Sequence, residues 1–491
     1  MNRQLVVMGF TTIVMAMSVF SALVPLTFAQ TNVSILEPTE RILATDINGE
    51  AVRKIAGNVR LELDDRVLAC DSAFQYLDQP LILAYNLEIT RQGESIIAEQ
   101  LWLNTETEVA TLSGGVQVRY QSTDVHSDSA IFFLDTDQVR FFNRVQWADS
   151  TTYVEADEAF VDQENAETQL RGSIYGETLR KDRFFVSDSM FADTLGTLQL
   201  LGRSTIWSFD AEEDSQNPDS VVQEIDSTSV DPTTVDPATV APTTIDTLIL
   251  YAQRIDVQET DSSQTLQATG LPRLWSPDLR AQADTIRGVE PEGTLDLYPN
   301  AKLWSDQAQL TANRFTLREL TDSTASLIGL PRTFITLQDT AIERFQQVVG
   351  DSLVALFISD ELRRLSLHRD TELFFFPEQE NDQGEPQGNQ AIKMRSALGA
   401  DLTLQNNELT GITARSSVQG EIYEGEEVLN GFRLEGYDWT PEQALPFLPL
   451  PQKRFNSLYP MFDERRTQND SLFVIPVGAF DTQHSSRPYN Q

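Results

Sequence analysis

The sequence repeats itself about every 29 residues, and this period restricts the fold more than any single motif does. One marker is an apolar residue that follows a glycine or a polar residue, and it recurs at Val59, Leu87, Val116, Val145 and Ile174. A second marker is a small residue followed by an acid, and it recurs with the same period at Cys70-Asp71, Ala98-Glu99, Ser127-Asp128, Ala156-Asp157 and Ser187-Asp188. The two markers predict a stack of similar units, none of which could bury its apolar face alone.

Each unit has the pattern of two β-strands. Val59, Leu61 and Leu63 alternate with polar residues, and period two places the apolar side chains on one face of a strand. Asp, Asn, Gln and Gly mark turns between such stretches, for example at 77–80 and 135–137. No convincing helical period occurs in 31–207. The prediction is an all-β fold of antiparallel strand-pair repeats.

The repeat divides the chain into a first half over 31–207 and a second half over 247–445. Between them, residues 208–246 contain ten Asp or Glu and no Lys or Arg, and they repeat a Val-Asp-Pro-Thr pattern. This composition predicts a disordered acidic Pro/Thr-rich linker. The period returns in the second half, where Leu274-Trp275-Ser276 and Leu303-Trp304-Ser305 are one repeat apart. Residues 341–350 are predicted as a short helix or loop, and 446–491 as a Pro-containing tail.

The first 29 residues have the pattern of a secretory signal peptide. Arg3 precedes a mostly apolar stretch over 5–26, and Thr27-Phe28-Ala29 offers small residues before a cleavage site. We expect cleavage after Ala29, export and a periplasmic location. The alternative is an uncleaved membrane anchor, because the apolar stretch approaches the length of a membrane span.

Charge and residue usage exclude several classes of function. With 36 Lys and Arg against 74 Asp and Glu, the net charge is −38, which disfavours nucleic-acid binding. We interpret this charge as a sign of a halophilic source, because at about 1 M salt the Debye length falls to roughly 3 Å. One cysteine and three scattered histidines suggest neither a disulfide framework nor a metal site. Since no nucleophile, metalloprotease or phosphate-loop motif is present, we expect no enzyme activity and no cofactor.

The repeat resembles the OstA-like family, the periplasmic module of lipopolysaccharide export. The resemblance rests on Gly57-Asn58-Val59-Arg60-Leu61 with Cys70-Asp71-Ser72-Ala73, and on Gly114-Gly115-Val116-Gln117-Val118 with Ser127-Asp128-Ser129-Ala130. It implies an open β-jellyroll (β-taco) whose apolar trough holds the acyl chains of lipopolysaccharide. It also implies strand-edge contacts with other jellyroll modules, namely an inner-membrane tether and an outer-membrane translocon.

Two sets of residues are candidates for such a function. The first set would line the trough and bind lipid: Val59, Leu61, Leu63, Leu87, Ile89, Val116, Val118, Tyr120, Val145 and Trp147. The second set would contact lipid phosphates: Arg60, Arg91, Arg119 and Arg144. Ordinary sandwich core and surface charge balance are the alternatives for the two sets. For the whole chain, the alternatives are an exported structural β-repeat scaffold and a β-helical polysaccharide lyase or hydrolase.

Overall fold

The computed structural model describes residues 33–36, 40–47, 49–63, 66–91, 93–120, 122–209, 247–260, 262–305, 307–321, 323–359, 361–377, 388–405 and 408–455. The predicted signal peptide and almost all of the predicted linker lie outside the described residues. The chain divides into two compact units, Met1–Gln452, which holds every described strand, and Lys453–Gln491. Of the second unit only 453–455 are described, and there the Arg454 guanidinium lies 4.9 Å from the centre of the Phe455 ring.

The fold is all β, as the sequence predicted, and its first half is a meander of long antiparallel strands. From β3 to β14, each strand pairs with the next one along the chain, while β1 and β2 both pair with β3. The strands are β1 (Val33–Leu36), β2 (Arg41–Ile47), β3 (Glu50–Leu63), β4 (Arg66–Tyr76), β5 (Leu81–Arg91), β6 (Glu94–Asn104), β7 (Val109–Tyr120), β8 (Thr123–Phe133), β9 (Gln138–Ala148), β10 (Thr152–Asp162), β11 (Glu167–Thr178), β12 (Arg183–Asp193), β13 (Thr197–Phe209) and β14 (Thr247–Thr260).

Most of these long strands carry an irregularity near their middle. In the β7–β8 pair, for example, the register runs to Ser113 opposite Ser129 and resumes at Val116 opposite Ser127, so that β7 holds one extra residue. Residues at these mid-strand positions have positive φ, which glycine and asparagine adopt most easily: Asn58, Asn86, Gly114, Gly115, Asn143 and Gly172 are examples. The first repeat marker therefore lies at a mid-strand bend, and it does not open a strand as the sequence pattern suggested.

The bend divides the sheet into two arms, which we name arm 1 and arm 2. Arm 1 contains the half-strands 59–63, 67–70, 87–91, 94–98, 116–120, 123–127, 145–148, 152–156, 174–178, 183–187, 204–209 and 247–252. Arm 2 contains the half-strands 50–56, 72–76, 81–85, 100–104, 109–113, 129–133, 138–142, 158–162, 167–171, 189–193, 197–201 and 254–260.

In the second half each long strand is replaced by two short ones. Because β14 pairs with β15 through its end and with β16 through its start, the arms continue as two separate ladders. The arm 2 ladder runs β15 (Ser263–Thr269), β18 (Thr285–Glu290), β19 (Thr294–Tyr298), β22 (Arg314–Thr321), β23 (Thr324–Leu330), β26 (Ser352–Ile358), β27 (Glu361–His368), β30 (Gly399–Gln405) and β31 (Glu408–Ala414). The arm 1 ladder runs β16 (Arg273–Trp275), β17 (Arg280–Gln282), β20 (Ala301–Trp304), β21 (Ala308–Ala312), β24 (Thr333–Asp339), β25 (Arg344–Gly350), β28 (Thr371–Phe375), β29 (Gln390–Ser396) and β32 (Gln419–Glu424).

The sequence prediction of a short helix or loop over 341–350 was wrong for most of that segment. Strand β25 occupies Arg344–Gly350 and pairs with β24 along its whole length. Its polar residues Gln346 and Gln347 obscured the strand pattern, yet Gln347 is fully buried. A tertiary contact, described next, explains this burial.

The described chain after β32 folds back over the outer face of arm 1. A short helix, α1 (Glu426–Gly431), leads into an irregular stretch with one 3₁₀ turn at Pro441–Gln443. The Gln347 side-chain amide binds this stretch twice: its nitrogen donates to the Phe432 carbonyl at 3.2 Å, and its oxygen accepts from the Leu434 N–H at 2.8 Å. We name residues 432–452 the C-terminal strap. No helix in the described part of the chain is long and apolar enough to span a membrane.

Candidate functional site

The predicted trough residues lie together on the inner face of arm 1. Cross-strand register places Leu61 opposite Leu68, and Leu68 opposite Ile89 on the next strand. The same row continues through Val118 to Trp147. Val59, Leu87, Val116 and Val145 form the neighbouring row, one pleat closer to the bend. The alternation in the sequence thus identified one contiguous apolar surface that extends across β3 to β9.

These side chains are covered by other apolar side chains. Val59, Leu61, Leu87, Val116, Val118, Val145 and Trp147 are each at most 2% exposed, and Ile89 and Tyr120 pack against the same cluster. Leu63 is the last residue of β3, and its side chain is not among the described ones. The resemblance implied an open trough, whereas at these positions the trough is filled. The physical reason is that two long apolar faces reduce their contact with water by packing together.

The opposing surface belongs to arm 2, and the sequence reasoning did not identify it. Ile55, Leu101, Leu112, Phe141 and Leu170 form its inner face and belong to the same apolar cluster as the arm 1 residues. The signal was present in the sequence, because the same alternation occurs on the other side of each bend. In the second half the cluster continues through Phe315 and Leu353 to Leu367. The layer between the arms is therefore continuous across both halves.

The small-acid marker stabilises the bends. The acid lies beside the bend of the following strand: the Asn86 Nδ2 donates to Asp71 at 2.8 Å, and the Arg203 backbone N–H donates to Asp188 at 3.1 Å. A Cβ added to Gly114 would lie 2.5 Å from the Glu99 Cβ, so the acid packs where a side chain would otherwise stand. Hydrogen bonds from Arg203 lower the pKa of Asp188. The residues of the two repeat markers therefore contact each other: the acid of one strand packs on the bend of the following strand.

The four predicted phosphate-binding arginines do not form a cluster at the trough. Arg60 and Arg119 alternate with the trough residues, so they lie on the outer face of arm 1. The Arg119 Nε donates to Asp124 at 2.8 Å, and Arg144 pairs with Asp128 at a bend. Arg91 lies at the end of β5, near the tip of arm 1. The structure separates these cations along the arm, and Arg119 and Arg144 pair with carboxylates.

Burial shifts the pKa of two titratable groups of arm 1. Burial raises the pKa of the Cys70 thiol to about 11, and Cys70 faces the inner layer of arm 1. On the outer face of arm 1, burial lowers the pKa of His126 to about 4. Among the residues that the structure describes, no group of three or more His, Cys, Asp or Glu side chains could hold a metal ion. The inner layer can exclude water and pack apolar groups.

No protein-family model matches the chain, and no curated protein matches it.

Proposed function

We propose that this protein carries a lipid between its two arms, as a periplasmic bridge component of lipopolysaccharide transport and outer-membrane assembly. The observation that carries the proposal is the continuous apolar layer between the arms, from Ile55 in β3 to Leu367 in β27. A layer of this length offers a path along which an acyl chain could move without meeting water. The family resemblance of the repeat supports the same proposal.

Lipid uptake requires the two arms to separate. Removing an acyl chain from water contributes about 0.8 kcal/mol for each CH₂ group. The lipid would replace contacts between the arms, because Leu61 and Phe141 are already buried there. The mid-strand bends are the natural hinge for this separation, since the ladder is interrupted at each bend.

The two ends of the sheet supply surfaces for the proposed partner modules. Among the described strands, β2 pairs only with β3, and β32 pairs only with β29. Their other edges offer backbone groups to an added strand. Ile42 and Ile422 are 53% and 70% exposed on these strands. We propose that an inner-membrane tether and an outer-membrane translocon dock at these edges.

A structural β-repeat scaffold is the second candidate. It is favoured by the filling of the inner layer with protein side chains, because a scaffold needs no separation of its arms. Both candidates are non-enzymatic, and they differ in whether the inner layer takes up an amphiphile.

Site-specific photocrosslinking in the cell envelope separates the two candidates. A photoreactive amino acid replaces Leu61, Val118 or Trp147 on the inner face, and Glu62 serves as the control because it is exposed beside Leu61. The lipid-carrier proposal predicts lipopolysaccharide adducts at the three inner positions and none at Glu62. Folded, exported protein without any adduct would support the scaffold and contradict the lipid carrier.

We also propose that the protein functions at high salt outside the cytoplasm. A net charge of −38 produces strong self-repulsion, which salt screens. The free energy of unfolding is then expected to rise steeply between 0.1 and about 2 M KCl. A free energy of unfolding that stays constant over this range would contradict the halophilic interpretation.

A further inference from the structure

The outer face of arm 2 carries a second ordered row of side chains. Cross-strand register from β3 to β13 aligns one outward-facing residue on each strand. We name this set the outer row: Lys54, Phe74, Leu83, Trp102, Thr111, Ile131, Arg140, Phe160, Gln169, Phe191 and Gln199. None of these residues belongs to the inner layer that the proposed function uses.

Five large apolar side chains, four of them aromatic, recur in the outer row at every second strand: Phe74, Trp102, Ile131, Phe160 and Phe191. A sixth, Leu83, lies on β5 between Phe74 and Trp102 and is buried. Two strand spacings place successive members about 9.6 Å apart. This distance corresponds to one disaccharide unit of an extended polysaccharide. Trp102 is 49% exposed, which is unusual for so large an apolar side chain on a soluble surface.

Cations flank the aromatic rings of the row. The Arg140 guanidinium lies 5.3 Å from the centre of the Phe160 ring, and the Lys54 Nζ lies 5.4 Å from the centre of the Phe74 ring. Such cation–π contacts fix the rings in place and leave N–H donors beside them. The row therefore combines flat apolar surfaces with hydrogen-bond donors.

The outer row contains no carboxylate between β3 and β13, although the chain has 74 Asp and Glu. The same register continued into the second half meets Asp256, Asp296 and Asp401. Arm 2 thus forms the same ladder in the second half with polar and acidic residues at these positions. The need to form a sheet does not by itself account for the aromatic residues of the first half.

We propose that the outer row binds an extended, uncharged polysaccharide chain. Pyranose rings present flat C–H faces that pack on aromatic side chains, and their hydroxyls accept hydrogen bonds from Lys54 and Arg140. A carboxylate-free row suits an uncharged ligand, while the net charge of −38 repels anionic polymers, including nucleic acids. This site goes beyond lipid binding and lies on the opposite face of the sheet.

The test is affinity electrophoresis of the full chain in gels that contain a neutral β-linked glucan, with a polyuronate gel as the anionic comparison. The variants are W102A, the double variant W102A with F160A, and the conservative W102Y. The matched control is F447A, because Phe447 is 48% exposed and lies against Trp275 on arm 1. Circular dichroism and thermal unfolding verify that each variant is folded.

We expect the neutral glucan to retard the wild type, F447A and W102Y. We expect W102A to bind at least ten-fold more weakly, and the double variant not to be retarded. Three results would overturn the proposal: a folded wild type that no neutral glucan retards, binding that W102A with F160A leaves unchanged, or retardation by the polyuronate alone.

Discussion

The two halves of the molecule build the same pair of arms in different ways. In the first half one strand of 11 to 14 residues passes through the bend and serves both arms, as β5 and β14 do. In the second half the strands have three to eight residues, and each belongs to one arm only. Both halves nevertheless share one apolar layer. The packing of the arms therefore depends on the apolar inner face, and it does not require strands that pass unbroken through the bend.

Proline explains part of this difference. Pro272, Pro299 and Pro331 lie at three of the second-half bends, where β15, β19 and β23 end. A proline has no backbone N–H to donate, so the ladder ends there. The first-half bends contain Gly, Asn, Arg or Ser at the equivalent places. Proline thus accounts for the strand breaks at those three bends, whereas the breaks at Asp284 and Asp351 have no proline.

The largest expected effect comes from removing one inner-layer phenylalanine in each half. Phe141 in arm 2 of the first half and Phe315 in arm 2 of the second half are both fully buried. We expect F141A and F315A each to lower the free energy of unfolding by about 3–5 kcal/mol. Chemical denaturation measures this cost.

Hydrogen exchange on the same two variants tests the comparison between the halves. Because β9 serves both arms, F141A is expected to reduce amide protection in both arms around it. Because β22 belongs to arm 2 only, F315A is expected to reduce protection mainly in arm 2. Equal loss of protection in both arms of F315A would contradict the separation of the second-half ladders.

The next effect concerns the bend itself, where Gly114 and Gly115 form a matched pair. Both have positive φ, but a Cβ on Gly114 would overlap Glu99, whereas a Cβ on Gly115 has no atom within 4 Å. We expect G114A to cost about 3 kcal/mol and G115A about 1 kcal/mol of unfolding free energy. Thermal unfolding of the two variants measures the difference. Equal costs would show that the acid does not pack on the bend as described.

The C-terminal strap offers a change centred on the second half. The Gln309 side chain donates to the Asp438 carbonyl at 3.1 Å and accepts from the Thr440 N–H at 2.7 Å and from the Trp304 Nε1 at 2.9 Å. Q309M removes these three hydrogen bonds and leaves their partner groups unsatisfied at a buried site. We expect it to lower the free energy of unfolding by about 2–3 kcal/mol. Limited proteolysis should then cut the strap faster. A strap as resistant as in the wild type would contradict its attachment through Gln309.

The smallest expected effect is a pH dependence in the first half. Burial lowers the pKa of His126 from 6.5 to about 4, with Asp124 opposing this shift and Arg119 adding to it. The unfolded chain therefore binds a proton more readily than the folded chain. The resulting stability is present above pH 6.5 and is lost as the pH falls from about 6.5 to about 4.

The variant H126Q should remove this loss. Between pH 7 and 5, the wild type is expected to lose at most about 2 kcal/mol more unfolding free energy than H126Q. Urea denaturation at the two pH values measures the difference. The same loss in both proteins would mean that other groups cause the acid sensitivity.

The fold class was predictable because its signal is periodic. Alternation around Val59, Val116 and Val145 identified strands, and the 29-residue spacing identified their stacking. The position of the bend was not predictable from the pattern, because Gly-Asn is as typical of a turn between strands as of a bulge within one. The structure places these residues within strands because the alternation continues on both sides of them.

The candidate site was predicted in part for a similar reason. The sequence identified the inner face of arm 1, but the facing residues of arm 2 belong to it only after the strands bend. The burial of Gln347 and Gln309 could not be predicted, since it depends on the strap, which is distant in sequence. The alternation places Arg60 and Arg119 on the outer face of arm 1, and their contact with lipid phosphates stays a prediction.

The closed layer between the arms is the central claim, and its single cysteine tests it most directly. Cys70 is 7% exposed on the inner face of arm 1, and Glu62 is exposed on the outer face. The measurement is the rate of alkylation by a polar maleimide in the lipid-free protein, compared with a variant that carries C70A and E62C. The account predicts that Cys70 reacts at least a hundred-fold more slowly than the cysteine at position 62, and promptly only in denaturant. Comparable rates in the folded proteins would show a layer open to water and contradict the account.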